Sequence, residues 1–236
     1  MVFRKGVYPK PLQNLIELFT QFPGIGPRQA ARFAFFILDP VRSKKPSASA
    51  GAQEAHRTSN GVEEDASLRH ELISALQALE DVGFCFQCFR ATEKKNGGLC
   101  TICKDAKRDS FTIAVVEKES DLQNIEKSGA YHGLYHILGG VISPLDAESP
   151  KRLHLKDLHG RIKKILDEEG NCEVVLATNT TTEGDTTALY IERILSPLKE
   201  QHPTLKISRL GRGLSLGTEL EYADEITVKN ALTNRR

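Results

Sequence analysis

The sequence contains no hydrophobic run long enough to cross a membrane. Its longest apolar stretch covers residues 33–38, whereas a membrane-spanning helix needs roughly 20 apolar residues. No apolar segment follows the first residues of the chain either, so a secretory leader is not expected. These absences favour a cytoplasmic protein that has no membrane partner.

The chain of 236 residues also lacks an excess of charge, because its formal net charge is +1 at pH 7. The charges are nevertheless separated along the chain. Residues 1–60 hold nine Lys and Arg against three Asp and Glu, and residues 111–200 hold ten against fifteen. This separation predicts that the basic part meets a polyanion and that the acidic part meets a cation or a basic protein surface. Solvated surface charge without any partner is the alternative.

Cysteine is rare outside one short segment. Four of the five cysteines lie in residues 85–103, as two Cys-x-x-Cys pairs. Two such turns can supply the four thiolates of a tetrahedral zinc site. Two disulfides or chance buried thiols are the alternative, which a reducing compartment disfavours. Four thiolates leave no open position for a water, so the zinc is predicted to be structural. The predicted ligands are Cys85, Cys88, Cys100 and Cys103.

Two helical patterns near the N-terminus are joined by a turn rich in glycine and proline. Apolar residues recur at helical spacing over residues 12–20 and 28–38. The turn between them has the sequence Phe-Pro-Gly-Ile-Gly-Pro over residues 22–27. The whole pattern is similar to the helix-hairpin-helix motif of nucleic-acid-binding proteins.

The hairpin carries the predicted DNA-binding residues. Gly24 and Gly26 permit a tight turn whose backbone amides favour a phosphate at the start of the second helix. Arg28 and Arg32 lie one helical turn apart and would flank that phosphate. We therefore expect salt-sensitive binding to the DNA backbone without sequence preference. An ordinary helical hairpin, in which the glycines only make the turn, is the alternative.

Residues 39–67 have almost no large apolar side chains, and we expect a mobile loop there. Over residues 68–79, leucines recur on one helical face, which predicts core packing. These leucines are Leu68, Leu72, Leu76 and Leu79. Within the cysteine segment, the basic turn at residues 94–98 is predicted either to touch DNA or to be only solvent-exposed surface.

The pattern after residue 108 predicts a parallel sheet covered by helices, because short apolar runs alternate with helical patterns. The predicted strands are residues 111–116, 134–138, 173–177 and 205–210. The predicted helices are residues 122–127, 153–166 and 186–198. Cys172 is expected to be an inert residue beside the third strand.

Acidic residues follow two of these strands. Glu117 and Asp121 come after the first, and Glu183 and Asp185 come after the third. Carboxylates at adjoining strand ends can hold Mg²⁺ for phosphoryl transfer. Capping of helix N-termini by the aspartates, or docking of a basic partner, are alternatives.

The order of these motifs resembles the RecR family of bacterial recombination mediators, and the resemblance covers nearly the whole chain except residues 39–67. Besides the hairpin and the cysteines, it rests on short motifs of the later region. These are Gly133-Leu-Tyr-His-Ile-Leu-Gly-Gly140, Ser143-Pro-Leu-Asp146, Ala177-Thr-Asn179, Glu183-Gly184, Ala188-Leu-Tyr190 and Leu220-Glu-Tyr-Ala-Asp-Glu225.

The resemblance implies an α+β multidomain fold in four parts. Residues 1–84 would form a helix-hairpin-helix region with the loop at 39–67, and residues 85–108 a four-cysteine zinc module. Residues 109–200 would form a Toprim-like α/β domain with a parallel sheet, followed by a C-terminal strand and loop extension at 201–236.

The resemblance also implies a non-enzymatic DNA clamp that acts with RecO and RecF at the nucleoid. Such a clamp helps load RecA onto single-stranded DNA coated by SSB, binds single- and double-stranded DNA, and assembles from dimers into a tetrameric ring. By this resemblance Arg28 and Arg32 contact DNA, and Glu117 and Asp121 contact RecO.

The sequence departs from the family pattern at four places. The loop at 39–67 and the gap between the cysteine pairs are longer than usual, and Thr180 and Ser215 replace usual prolines. The residues 178–180 are Thr-Asn-Thr, where catalytic Toprim domains resemble one another in carrying Asp-x-Asp. Three functions are therefore weighed: a recombination mediator, a Mg²⁺-dependent Toprim nuclease or primase, and a zinc interaction module.

Overall fold

The computed structural model describes residues 8–38, 61–214, 217 and 219–235. The chain divides into two compact units, Met1–Glu80 and Asp81–Arg236. No helix in the described ranges is long and apolar enough to span a bilayer. The α-helices are α1 (Lys10–Thr20), α2 (Pro27–Leu38), α3 (Gly61–Ala78), α4 (Thr101–Lys104), α5 (Glu119–Ser128), α6 (Leu155–Glu169), α7 (Thr182–Gln201) and α8 (Glu225–Thr233). The strands are β1 (Val82–Phe84), β2 (Ala91–Glu93), β3 (Asp109–Val116), β4 (Gly133–Ile137), β5 (Cys172–Leu176) and β6 (Leu205–Arg209).

The first unit is built around the packing of α1 against α2. Leu12 and Ile16 of α1 are buried against Ala30 and Ala34 of α2. The two alanines present only methyl groups, which lets the helix backbones approach closely. Aromatic rings close the periphery of this core, among them Phe19, which meets Phe33 edge to face at 5.9 Å. The helical pair predicted at residues 12–20 and 28–38 is thus present.

The start of α3 corrects the predicted loop. Residues 61–67 are helical, so the loop prediction is wrong there, and its remainder, 39–60, lies outside the described residues. The sequence over 61–67 contains glutamate and alanine, which have high helix propensity without needing an apolar partner. A search for apolar periodicity alone could not detect that turn of helix.

The leucine stripe of α3 is not packed in a core. Leu72, Leu76 and Leu79 are 39%, 65% and 60% exposed, and Ile73 beside them is 55% exposed. The prediction that these leucines pack in a core is therefore wrong in the part of the chain that the structure describes. The periodicity marks an apolar face, but it does not say what covers that face.

The second unit contains the predicted parallel sheet. Its strand order is β4-β3-β5-β6, and every neighbouring pair is parallel. All four strands lie where apolar runs predict them. The helices α5, α6 and α7 connect them in sequence, as parallel strands require crossover connections.

Alternation along β3 assigns the two faces of the sheet. Ile113 and Val115 point into a core that also contains α6 and α7. Ala114 and Val116 point to the opposite face, where they pack with α5 and three of the clustered cysteines. Both faces are covered, which explains why β3 is fully buried from Ile113 to Val116.

The cysteine segment and the C-terminal segment differ in detail from the predicted organisation of the chain. The cysteines belong to the same compact unit as the sheet and share its core, so they do not form a separate small core. The predicted strand and loop extension contains a helix, α8, that the sequence prediction omits. Asp224 caps α8 by accepting the Thr227 N–H at 2.9 Å.

Candidate functional site

Four cysteine side chains meet at one point of the second unit. The sulfurs of Cys85, Cys88, Cys100 and Cys103 all lie within 4.8 Å of one another. All five cysteines of the chain are free thiols, so the two-disulfide alternative does not describe this fold. The fifth, Cys172, lies apart in β5, and burial raises its pKa to about 11, which agrees with an inert thiol.

The backbone around each pair directs the sulfurs inward. Cys100 is the N-cap of α4, and its sulfur accepts the Cys103 N–H at 3.4 Å. In the other pair, the Cys85 N–H donates to the Arg90 carbonyl at 2.8 Å, which closes the β1–β2 hairpin. Phe89 takes a left-handed φ of 63° directly after Cys88, so the chain turns back there.

The clustered sulfurs influence one another. Hydrogen bonds to the side chains of Cys103 and Cys88 lower the pKa of Cys100. The hydrogen bond to Cys100 in turn raises the pKa of Cys88. The pKa of each sulfur thus depends on its neighbours, and a bound cation would displace protons from the cluster. This donor set can hold a four-coordinate metal ion and leaves no position open for a reactive water.

The turn of the first cysteine pair completes the free edge of the sheet. The strand β4 lies at that edge, and its Ile137 N–H donates to the Cys88 carbonyl at 2.9 Å. Arg161 of α6 donates to the Gln87 carbonyl at 3.0 Å and to the Tyr135 carbonyl at 2.7 Å. These bonds fix the turn on the sheet through main-chain groups, so the bonds do not depend on the side chains of the turn.

Side chains add two further anchors. The Phe89 ring stacks on the His154 ring, with centroids 3.6 Å apart and planes 8° from parallel. Arg90 forms an ion pair with Glu119 at the start of α5, with a 2.8 Å separation between Nε and Oε1. The cysteine cluster is therefore joined to both α5 and the segment that enters α6.

The predicted DNA-binding hairpin is exposed in the first unit. Gly24 has a left-handed φ of 78°, which glycine tolerates without strain. The Ile25 N–H donates to the Phe22 carbonyl at 3.1 Å, and the Ala30 N–H donates to the Gly26 carbonyl at 2.9 Å. A Cβ on either glycine would have no other atom within 4 Å, so steric crowding does not require glycine at these two positions.

Arg28 and Arg32 occupy exposed positions four residues apart on α2. Helical spacing places them on one face. Among the described residues neither forms an ion pair. Pro27 begins the helix, so the N–H groups of Arg28 and Gln29 lack an acceptor within it. The hairpin thus places two cations next to open backbone donors, which suits a phosphate.

Glu117 is buried, unlike most acidic side chains. It is only 3% exposed at the end of β3. Its two carboxylate oxygens accept the Asn179 backbone N–H at 2.7 Å and the Asn179 side-chain amide at 2.6 Å. A Cβ on Gly184 would lie 2.9 Å from Oε1 and 2.1 Å from the Asn179 carbonyl oxygen. The close approach of α7 therefore requires glycine at 184.

The neighbouring aspartates also have partners within the protein. Asp121 accepts the Lys118 N–H at 3.0 Å, which closes the N-terminus of α5 as the capping alternative predicts. Asp185 instead pairs with Arg212, and this hydrogen bond lowers the pKa of Asp185. The N-cap of α7 is Thr181, so capping is wrong for Asp185. In the described part of the chain, the four cysteines are the only group of three or more ligand side chains close enough to share an ion.

Comparison with known protein families matches three regions of the chain. Residues 112–211 match the Toprim domain, residues 12–45 match the RecR helix-hairpin-helix, and residues 213–236 match the RecR C-terminal region. The chain is 38% identical to "Recombination protein RecR" of Lactococcus lactis over 228 residues, which covers 97% of this chain and 98% of the relative. The chain belongs to the RecR family. Proteins of the same name from Cutibacterium acnes and Deinococcus radiodurans are 39% and 38% identical to this chain. Both matches cover 97% of this chain, and they cover 96% and 87% of the respective relatives.

The RecR fold brings together residues that sequence reasoning did not connect. Asn179 lies 62 positions from the carboxylate it binds, and Arg212 lies 27 positions from Asp185. Asn179 is part of the departure from Asp-x-Asp, so the sequence does contain a signal that this position is unusual. The stacking of Phe89 on His154 had no signal, because neither residue belongs to a periodic pattern.

Proposed function

We propose that this RecR protein is a non-enzymatic recombination mediator, a DNA clamp acting at the nucleoid in the bacterial cytoplasm. In this proposal it helps RecO and RecF load RecA onto single-stranded DNA coated by SSB. The observation that carries the proposal is the exposed hairpin in a chain of this family, where Arg28 and Arg32 stand beside open backbone N–H groups.

The hairpin supplies the DNA contact in this proposal. Gly24 and Gly26 shape the turn, the amides at the start of α2 approach one phosphate, and the two arginines approach its neighbours. None of these contacts reads a base. Binding is therefore independent of sequence and falls steeply as salt concentration rises.

The ion of the cysteine cluster is proposed to be structural zinc. Four buried or half-buried thiolates suit zinc among the common divalent ions, because soft sulfur ligands in a closed tetrahedral shell favour it. When bound, the ion supplies folding free energy and no chemistry. The four cysteines hold the β1–β2 hairpin and α4 together beneath the sheet.

Absence of catalysis is proposed from the partners of the Toprim carboxylates. A metal-dependent nuclease or primase needs several carboxylates around one ion. Glu117 has both oxygens occupied by Asn179, and Asp185 is paired with Arg212. Asn179 and Thr180 also bring no negative charge to the end of β5. A Mg²⁺-dependent activity would require these pairs to break first.

The same residues bear on the proposed RecO contact. Asp121 is partly exposed at the start of α5 and can face a basic partner surface. Glu117 is buried, so we propose that it acts indirectly, by holding the loop around Asn179 against β3. We propose that residues 1–84 contact DNA and that residues 109–200 contact partners. The zinc module lies between them in 85–108, and the extension follows at 201–236.

We further propose that the chain assembles into dimers and then a tetrameric ring. Exposed apolar surfaces in each unit support this. In the first unit, α1, α2 and α3 line an apolar groove of about 800 Å³ that includes Leu72, Ile73 and Leu76. In the second unit, Leu220, Tyr222, Ile226 and Leu232 of the C-terminal segment are more than half exposed. A ring would make weak phosphate contacts durable, because several hairpins act together.

Two measurements on the purified protein test the proposal. Fluorescence anisotropy with labelled single- and double-stranded oligonucleotides should show salt-sensitive binding without sequence preference. Incubation of the same DNA with Mg²⁺ should give neither cleavage nor primer synthesis. Turnover that disappears in a Glu117→Gln variant would overturn the clamp in favour of the enzyme.

A further inference from the structure

Two phenylalanine rings of the cysteine segment face solvent. Phe84, the last residue of β1, is 74% exposed, and Phe86, two residues later, is 62% exposed. A single exposed apolar side chain is ordinary, but two exposed rings only two residues apart are a candidate binding surface.

The two rings stand on a fixed base. Cys85 between them is fully buried with its sulfur in the metal cluster. The Cys85 N–H donates to the Arg90 carbonyl at 2.8 Å, and the Phe86 N–H donates to the Gly98 carbonyl at 3.0 Å. Cys85 thus points inward between two exposed rings. A bound ion would therefore hold the rings in place through the cysteine between them.

The second ring is also located by a glycine. A Cβ on Gly98 would lie 2.9 Å from a carbon of the Phe86 ring, and Gly98 itself has a left-handed φ of 77°. One edge of the ring thus lies close to the backbone at Gly98, the last residue of the basic turn. Glycine at 98 permits both the turn and this contact.

The basic residues nearby fall into two groups. Arg90 and Arg108 pair with Glu119 and Glu126 inside the unit, so they serve the fold. Four lysines of the segment have exposed side chains: Lys94, Lys95, Lys104 and Lys107.

The first two of these lysines lie in the turn that leads to Gly98. The side chain of Lys94 runs along the hairpin, because a Cβ on Gly83 would be 3.3 Å from its Cγ. Lys95 pairs with Glu93 at 2.9 Å, with both side chains more than half exposed. A surface pair of this kind contributes little stability and exchanges readily for a phosphate.

We propose that Phe84 and Phe86 form a stacking platform for the bases of single-stranded DNA, with Lys94 and Lys95 contacting the phosphates beside it. Single-stranded nucleic acid exposes the faces of its bases, which stack on aromatic side chains, whereas a duplex keeps those faces covered. The positive charge of the lysines matches the negative charge of the DNA backbone. The inference rests on the proposed DNA-binding function, but it concerns a surface separate from the hairpin residues.

The experiment uses the absence of tryptophan from the chain. Phe84→Trp introduces one indole, whose emission is quenched when a base stacks on it. Titration of this full-length variant with oligothymidylate should quench the emission with the dissociation constant that anisotropy gives, and a duplex of equal length should not. Phe111→Trp is the matched control, since Phe111 is 36% exposed in β3, outside the hairpin. Its emission should be unaffected by DNA.

A second variant separates stacking from apolar contact. Phe84→Leu should weaken binding of single-stranded DNA about tenfold, roughly 1.4 kcal/mol, and leave duplex binding unchanged. Phe84→Trp should retain wild-type affinity. Equal metal content in all variants shows that the cysteine cluster is intact.

The possible results distinguish failure of the stacking platform from failure of the proposed DNA-binding function. If the wild-type protein binds single-stranded DNA while Phe84→Trp is not quenched and Phe84→Leu binds normally, the platform alone is wrong. Emission that shifts with protein concentration and not with DNA would also overturn it, because a second copy of the chain would then cover the ring. If the wild-type protein binds no DNA at all, both the platform and the proposed function fail.

Discussion

Asn179 holds the Glu117 carboxylate with two hydrogen bonds, one from its backbone N–H at 2.7 Å and one from its side-chain amide at 2.6 Å. The bonds join the end of β3 to the loop that enters α7. They also satisfy a carboxylate that is only 3% exposed, which would otherwise be costly to bury. The acidic residue at this strand end is therefore part of the fold.

Asn179→Asp should destabilise the protein. The change replaces a donor with a second carboxylate against a buried one, and two like charges at hydrogen-bond distance repel. We expect a loss of about 2–4 kcal/mol in the free energy of unfolding at pH 7, measured by urea denaturation. The loss should shrink as pH falls, because repulsion between the two carboxylates favours the uptake of one proton. Added Mg²⁺ should stabilise this variant more than the wild-type protein.

Asn179→Ala serves as the uncharged control for that experiment. It removes the side-chain bond and leaves the backbone bond in place without adding a second charge, so it should cost less at pH 7. A variant Asn179→Asp as stable as the wild-type protein would show that Glu117 has room to move away.

The hairpin arginines should set the salt dependence of DNA binding. Arg28→Ala with Arg32→Ala removes two phosphate contacts, so the slope of log K against log salt should fall by about 1.4–1.8. Anisotropy titrations at several salt concentrations measure this slope. The control is Arg193→Ala with Lys199→Ala, which removes the same charge from exposed positions on α7. Equal slopes in the two double variants would contradict the hairpin assignment.

The sequence predicted those parts of the fold that depend on local patterns. Each buried strand has an apolar run, and the Cys-x-x-Cys spacing alone indicates the metal cluster, since all four ligands lie in 85–103. The hairpin is equally local, because Gly24, Gly26 and the arginines lie within nine residues. Short sequence separation made these features readable without knowledge of the tertiary structure.

Features that depend on distant partners were not predictable in the same way. The burial of Glu117 follows from a loop 62 residues later, and Asp185 acquires its partner from the C-terminal segment. The leucine stripe of α3 shows the converse case. Its period correctly indicates an apolar face, but exposure depends on what packs against it, and periodicity carries no information about that.

Removal of the metal should unfold more than the cysteine segment. Cys85 and Cys100 share a core with Ala114, Val116 and Tyr135 of the sheet. Cys85→Ser should therefore lower the melting temperature of the second unit and reduce the metal content from about one ion per chain. Cys172→Ala is the control, because Cys172 lies in β5 away from the cluster. It should keep the ion, as elemental analysis would show, even if stability falls slightly.

The buried His136 should make stability depend on pH. Burial lowers the pKa of His136 to about 4 from its ordinary 6.5, and no described residue bonds its Nδ1 atom. The unfolded chain therefore binds more protons than the folded chain between about pH 4 and 6.5. Stability should fall as pH decreases from about 6.5 to 4, by roughly 3 kcal/mol from this residue, and this loss should level off below that.

His136→Gln isolates this contribution from other acid effects. Glutamine retains a donor for the His154 carbonyl, which Nε2 contacts at 2.9 Å in the wild-type protein, but it does not titrate. Urea denaturation between pH 4 and 7 should show a smaller slope for the variant. Parallel curves would place the acid sensitivity elsewhere, for instance at the cysteine cluster.

The apolar groove of the first unit should govern assembly. A charge placed on Leu76, which is 65% exposed and lines the groove, would have to be buried if a second copy covers that face. Leu76→Glu should then shift the mass in solution from oligomer towards monomer, measured by light scattering, without lowering the melting temperature of the monomer. Leu145→Glu provides the comparison, since Leu145 is 98% exposed and outside the groove. A substitution at Leu76 that leaves the mass unchanged while the wild-type protein is oligomeric would assign assembly to the C-terminal segment instead.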